Sequence, residues 1–82
     1  MTGRIDVEFD LGEGAMLRVL GLVERRGFEV RGMTMRERGQ GGSLRLDVRA
    51  RDTGRRLDVI AGHLRRLVDV RAVSVSNQEF RP

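Results

Sequence analysis

Arg4-Ile5-Asp6-Val7-Glu8-Phe9-Asp10 alternates charge with hydrocarbon at every step, which sets Ile5, Val7 and Phe9 on one face of a half-buried strand. From Gly14 the period changes. Met16, Val19, Leu20 and Val23 recur at helical spacing, Leu17 and Leu22 widen the stripe, and the pattern stops at Arg25-Arg26-Gly27. Two cations followed by Gly suit a helix C-terminus, because positive charge is favoured there and Gly tolerates the left-handed turn.

Working outward, Phe28 and Val30 resume alternation, and the apolar phase slips to Met33 and Met35 across Gly32, which predicts a second strand with a bulge. Gly39-Gln40-Gly41-Gly42 is suited to a hairpin loop. Beyond it Leu44, Leu46, Val48 and Ala50 face one way while Arg45, Asp47, Arg49 and Arg51 face the other. Asp52 or Thr53 is the expected cap of a second helix, whose apolar positions are Leu57, Ile60, Ala61, Leu64, Leu67 and Val68. Val70, Val73 and Val75 mark a fourth strand. The expected organisation is one domain over residues 1–76 and a polar, frayed tail over residues 77–82.

The order βαββαβ is the ferredoxin-like arrangement, an α+β sandwich of a four-stranded antiparallel sheet with both helices on one face. In the usual strand order for this arrangement, 4-1-3-2, the first strand lies beside the third. Outward Asp6 and Glu8 are then expected against outward Arg45 and Arg49. The second strand is an edge with no proline, and Arg31, Met33 and Met35 on it invite pairing with a second copy of the chain.

Composition narrows the chemistry. The chain has 82 residues, no Cys and one His, so disulfides, thiol nucleophiles and Cys-ligated metals are excluded and a metal site is not expected. All 16 basic residues are Arg, against 12 acids, for a net charge of +4. The high pI of about 11.4 reflects the lack of groups titrating between His and Arg, since acids are interspersed throughout. Neither a signal peptide nor a membrane span is expected, and the chain is assigned to the cytoplasm. His63 lies off the apolar stripe, is expected to be exposed, and has no partner residue for a dyad. No pair of carboxylates can be singled out as acid and base, so no catalytic residue is assigned and an enzyme is not expected.

Gly12-Glu13-Gly14 begins like a dinucleotide fingerprint, but Leu17 stands where the third Gly belongs. What survives is a strand-to-helix turn whose free N–H groups suit a small carboxylate. Base stacking on the sheet is not expected either. Phe9 and Phe28 alternate inward and Phe80 lies in the tail, so a nucleic-acid partner is ranked last.

The run Gly14-Ala15-Met16-Leu17-Arg18-Val19-Leu20-Gly21-Leu22-Val23, followed by Arg25-Arg26-Gly27-Phe28, resembles the ACT-domain segment of acetolactate synthase small subunits, where G-A-L-x-R-V-x-G-L-F leads to R-G-Y-N-I. Leu64, Leu67-Val68-Asp69-Val70 and Val73 resemble that family's K-L-V-D-V-x-x-V segment. With a single ACT unit the chain is similar to the short, isozyme II type. The resemblance implies a regulatory subunit with no cofactor of its own, docking on a catalytic large subunit that uses thiamine diphosphate, Mg²⁺ and FAD in branched-chain amino-acid synthesis. It also implies a homodimer paired through the second strand and first helix, with an effector site formed by Leu11, Gly12, Gly14 and Ala15 of one copy and Glu29 and Val30 of the other. Leu11 and Glu29 stand where valine-responsive members carry Asn, so weak or no valine binding is expected. The alternatives are a free-standing ACT amino-acid sensor of another enzyme and a basic RNA-binding module.

Overall fold

The computed structural model describes residues 2–77. Its elements are β1 (Thr2–Asp10), α1 (Ala15–Arg25), β2 (Phe28–Arg38), β3 (Gly41–Ala50), α2 (Leu57–Arg65) and β4 (Val70–Asn77). The four antiparallel strands lie in the order β2-β3-β1-β4, as the ferredoxin-like arrangement requires. Asn77, placed at the start of the tail by sequence, is the last residue of β4 and pairs with Gly3. The rest of the expected tail, Phe80 included, lies outside the described residues.

Alternation decides which face each strand buries. Ile5, Val7 and Phe9 of β1 pair with Leu46, Leu44 and Gly42 of β3, and all the side chains in these pairs point at the helices. Val19 and Val23 of α1, with Ile60 and Leu64 of α2, close over them and are essentially excluded from water. Each such side chain contributes about 1.5–3 kcal/mol of hydrophobic burial. Gly27, at φ 91°, ends α1 in the left-handed turn expected of it, and Phe28 enters the core directly after.

Several expectations are corrected. The hairpin between β2 and β3 is only Gly39-Gln40, with φ 61° at Gly39; Gly41 and Gly42 already belong to β3. The bulge in β2 is present and falls at Arg31, between the pairs Val30–Val48 and Gly32–Asp47. Neither Asp52 nor Thr53 caps α2. Its N-cap is Arg56, without a side-chain cap bond, while Asp52 accepts a hydrogen bond from the Gly54 N–H at 3.0 Å and so shapes the preceding turn. Leu17 and Val68 are 72% and 90% exposed, because α1 turns Leu17 outward and α2 ends at Arg65 before Val68 could join its stripe. His63 is half-buried rather than exposed, standing with Arg26 and Arg55 around a small hollow floored by Phe28.

Candidate regulatory site

The loop between β1 and α1 is held from three sides. Asp10 N–H donates to the Asp69 carbonyl at 2.8 Å, Leu11 N–H donates to the Gln40 carbonyl at 3.0 Å, and Gly12 N–H donates to the Asp10 carbonyl at 3.0 Å. Gly14 adopts φ 74°, so the chain can swing into α1 without a side-chain cap. The Ala15 N–H, part of the strand-to-helix turn expected to suit a small carboxylate, already donates to the Gly12 carbonyl at 3.1 Å, and its methyl is buried. The Glu13 and Gly14 N–H groups are the donors left open in this loop ahead of α1.

Two ion pairs brace the loop, and sequence reasoning named neither. Arg18 on α1 lies against Gly14 and binds Asp69 in the turn before β4, its Nε reaching Asp69 Oδ2 at 3.1 Å. Arg71 on β4 places its Nε 3.0 Å from each oxygen of Asp10, and the hydrogen bond from this guanidinium holds the Asp10 carboxyl below its ordinary range. Between the loop and the hairpin turn lies a hollow of about 410 Å³ lined by Asp10, Leu11, Gly12, Gly39, Gln40 and Arg71.

Glu29 and Val30 stand elsewhere. Glu29 pairs with Arg49 across the sheet, at the Thr2 end of β1, whereas Leu11 follows the far end of that strand. The separation is eight or nine strand residues, about 30 Å. Within one chain the two halves of the expected effector site therefore do not meet. The two β2 residues also diverge. Val30 faces the helices, bordering an apolar hollow of about 300 Å³ with Leu20 and Met33, while Glu29 is on the open face. Its carboxylate receives a hydrogen bond from Arg31 at 3.2 Å and lies 4.0 Å from Arg51, and these cations lower its pKa, the Arg31 bond most.

At the edge, Arg31 occupies the bulge and Met33 is 51% exposed, but Met35 is half-buried against the core beside Gly42. On the open face Asp6 accepts a hydrogen bond from Arg45 Nε at 2.9 Å, as expected for that cross-strand pair. Glu8 and Arg49 are not partners. Glu8 lies opposite Ser43 and Arg49 opposite Thr2, while Arg4 instead binds Asp47 at 3.3 Å. Among the described residues no cluster of His, Asp or Glu could hold a metal ion, and no helix is long and apolar enough to cross a membrane.

The comparisons with known proteins agree with this architecture. The ACT-domain family profile matches residues 12–73, so the chain belongs to the ACT-domain family. ACT domains are regulatory, amino-acid-sensing modules without catalytic function of their own. Among solved structures, the ACT domain from GTP pyrophosphokinase of Chlorobium tepidum superposes with a TM-score of 0.77 at 14% identity, covering 93% of this chain and 97% of that one. The C-terminal domain of the MgtC protein from Mycobacterium tuberculosis gives a TM-score of 0.70 at 14% identity, over 92% of this chain and 84% of that one. A formyltetrahydrofolate deformylase from Pseudomonas putida KT2440 gives 0.80 at 13% identity; all of this chain matches 30% of the deformylase. At these identities the likeness is one of fold. No curated protein matches the sequence.

Proposed function

We propose that this chain is the non-catalytic regulatory small subunit of an acetolactate synthase, acting as a homodimer that docks on the catalytic large subunit and raises its activity. The observation that carries the reading is where the two resembling segments lie. Gly14–Val23 and Leu67–Val70 are joined across the fold by the Arg18–Asp69 ion pair beside the β1–α1 loop, while Arg25-Arg26-Gly27-Phe28 closes the other end of α1. The cofactors, thiamine diphosphate, Mg²⁺ and FAD, belong to the partner in this reading.

The open edge of β2 supports the dimer of this reading. This strand runs from Phe28 to Arg38, and antiparallel pairing of two copies about its midpoint, Met33, sets Val30 of the second copy, past the bulge at Arg31, level with Met35 of the first. That end of the sheet holds the Gly39-Gln40 turn, to which Leu11 is hydrogen-bonded. A second copy would thus bring Val30 toward the loop that lies about 30 Å away within one chain. The large subunit would respond by a shift in population toward its ordered active-site state, without a residue donated from this chain.

The test is co-expression with the acetolactate synthase large subunit from the same source, followed by size exclusion. Co-elution at a fixed ratio supports the reading. Separate elution favours the alternative, an ACT sensor serving a different enzyme.

A further inference from the structure

The open face of the sheet carries a second feature, away from the β1–α1 loop. A groove of about 470 Å³ runs over β1, β3 and β2 between Glu8 on one side and Arg36 and Arg38 on the other. Register explains the groove. Arg36 pairs with Ser43, and Ser43 with Glu8, so a short side chain separates two long ones of opposite charge. Their Cα atoms are two strand spacings apart, about 10 Å. One row along, Thr34, Arg45 and Asp6 stand abreast, and Arg45 and Asp6 are spent on each other at 2.9 Å.

Glu8, Arg36 and Arg38 are different. None of the three makes an ion pair or side-chain hydrogen bond among the described residues. The groove therefore offers one free carboxylate and two free guanidiniums, with the hydroxyls of Thr34 and Ser43 between them. Arg36 and Arg38 are two residues apart on one face of β2, about 7 Å along the strand, a span that two carboxylates of one small molecule can bridge. Guanidinium recognises carboxylate in a planar, two-pronged fashion, and Glu8 can only accept, so it calls for an ammonium.

We propose that this groove binds an acidic α-amino acid, its two carboxylates on Arg36 and Arg38 and its ammonium on Glu8. A neutral amino acid leaves one guanidinium unanswered, and a plain dicarboxylate sets no cation against Glu8. The groove does not depend on which enzyme the chain regulates. Edge pairing through β2 leaves this face open, and Glu29 of a second copy is held by its own Arg31 and Arg51 rather than by Arg36 or Arg38.

The experiment is calorimetric titration of the full chain with L-glutamate, with glutarate, which keeps both carboxylates and lacks the ammonium, and with L-valine. The expected result is binding of L-glutamate at least about tenfold tighter than of either other compound. Arg36→Gln should weaken L-glutamate at least about tenfold, and Glu8→Gln should bring it down to the level of glutarate. Both positions are exposed, so circular dichroism of the variants should match the parent. Equal binding of glutamate and glutarate would overturn the proposal in favour of a plain anion site. So would glutamate binding that neither variant changes, or no heat up to about 10 mM.

Discussion

Arg18 and Asp69, 51 residues apart in sequence, meet where α1 begins and β4 is about to start, with Nε of one 3.1 Å from Oδ2 of the other. The pair ties the first helix to the last crossover of the chain. Asp69 also accepts the Asp10 N–H through its carbonyl, so one residue anchors both the side chain of α1 and the end of β1.

Asp69→Asn and Arg18→Ala are therefore each expected to lower unfolding stability by about 0.5–1 kcal/mol, the range of a partly solvated ion pair. Urea denaturation of both variants and of the double variant measures it. The double variant should lose clearly less than the two single losses added, since each single change breaks the same bond.

Gly27 is the second structural dependence. At φ 91° any side chain is strained, and a Cβ there would also meet the Arg55 guanidinium at 2.2 Å from Nε. Arg55 is flexible and can move aside, so backbone strain dominates. Gly27→Ala should cost about 1–2 kcal/mol in thermal or chemical denaturation, and Gly27→Asn should cost less.

Stability should depend on acid in one direction. The carboxyls of Asp10, Glu29 and Asp58 are all held below their ordinary values, chiefly by hydrogen bonds from Arg71, Arg31 and Arg56 respectively. A carboxyl depressed in the folded state adds stability above its unfolded pKa and loses it as pH falls through the folded pKa. Melting temperature should be flat near neutrality and decline below about pH 4. Asp10→Asn should make that decline shallower, as melts from pH 7 down to about pH 2.5 would show.

The proposed dimer makes a separate demand. Met33→Asp puts a charge at the centre of the β2 edge, where pairing of two copies would bury it against its own image. Sedimentation should show the parent chain as a dimer and this variant shifted toward monomer, with the circular dichroism unchanged. A parent chain that sediments as a monomer at all concentrations would remove the edge-pairing part of the account.

Much of the fold was legible because period alone decides it. Ile5, Val7 and Phe9, then Val19 and Val23, then Leu44, Leu46 and Val48, all sit in the core where alternation or helical spacing puts them. Register was less legible. Whether Arg49 meets Glu8 or Thr2 depends on how β1 slides along β3, and side-chain alternation is indifferent to a slip of two residues. Helix ends were misjudged for a related reason: Val68 fits the stripe of α2 by spacing, but the helix has ended by Arg65 and the residue is in solvent. The expected site residues were legible only as a list. Spacing along the chain says nothing about Glu29 and Leu11 lying at opposite ends of the sheet, or about Arg18 reaching Asp69; those facts belong to the pairing of strands and the rotation of α1.

The most direct test of the central claim is the specific activity of the acetolactate synthase large subunit with and without the purified chain, thiamine diphosphate, Mg²⁺ and FAD being held constant. The chain alone is expected to form no acetolactate, and the large subunit's activity is expected to rise saturably as the chain is added. An activity that stays at the level of the large subunit alone, at any ratio of the two chains, would contradict it.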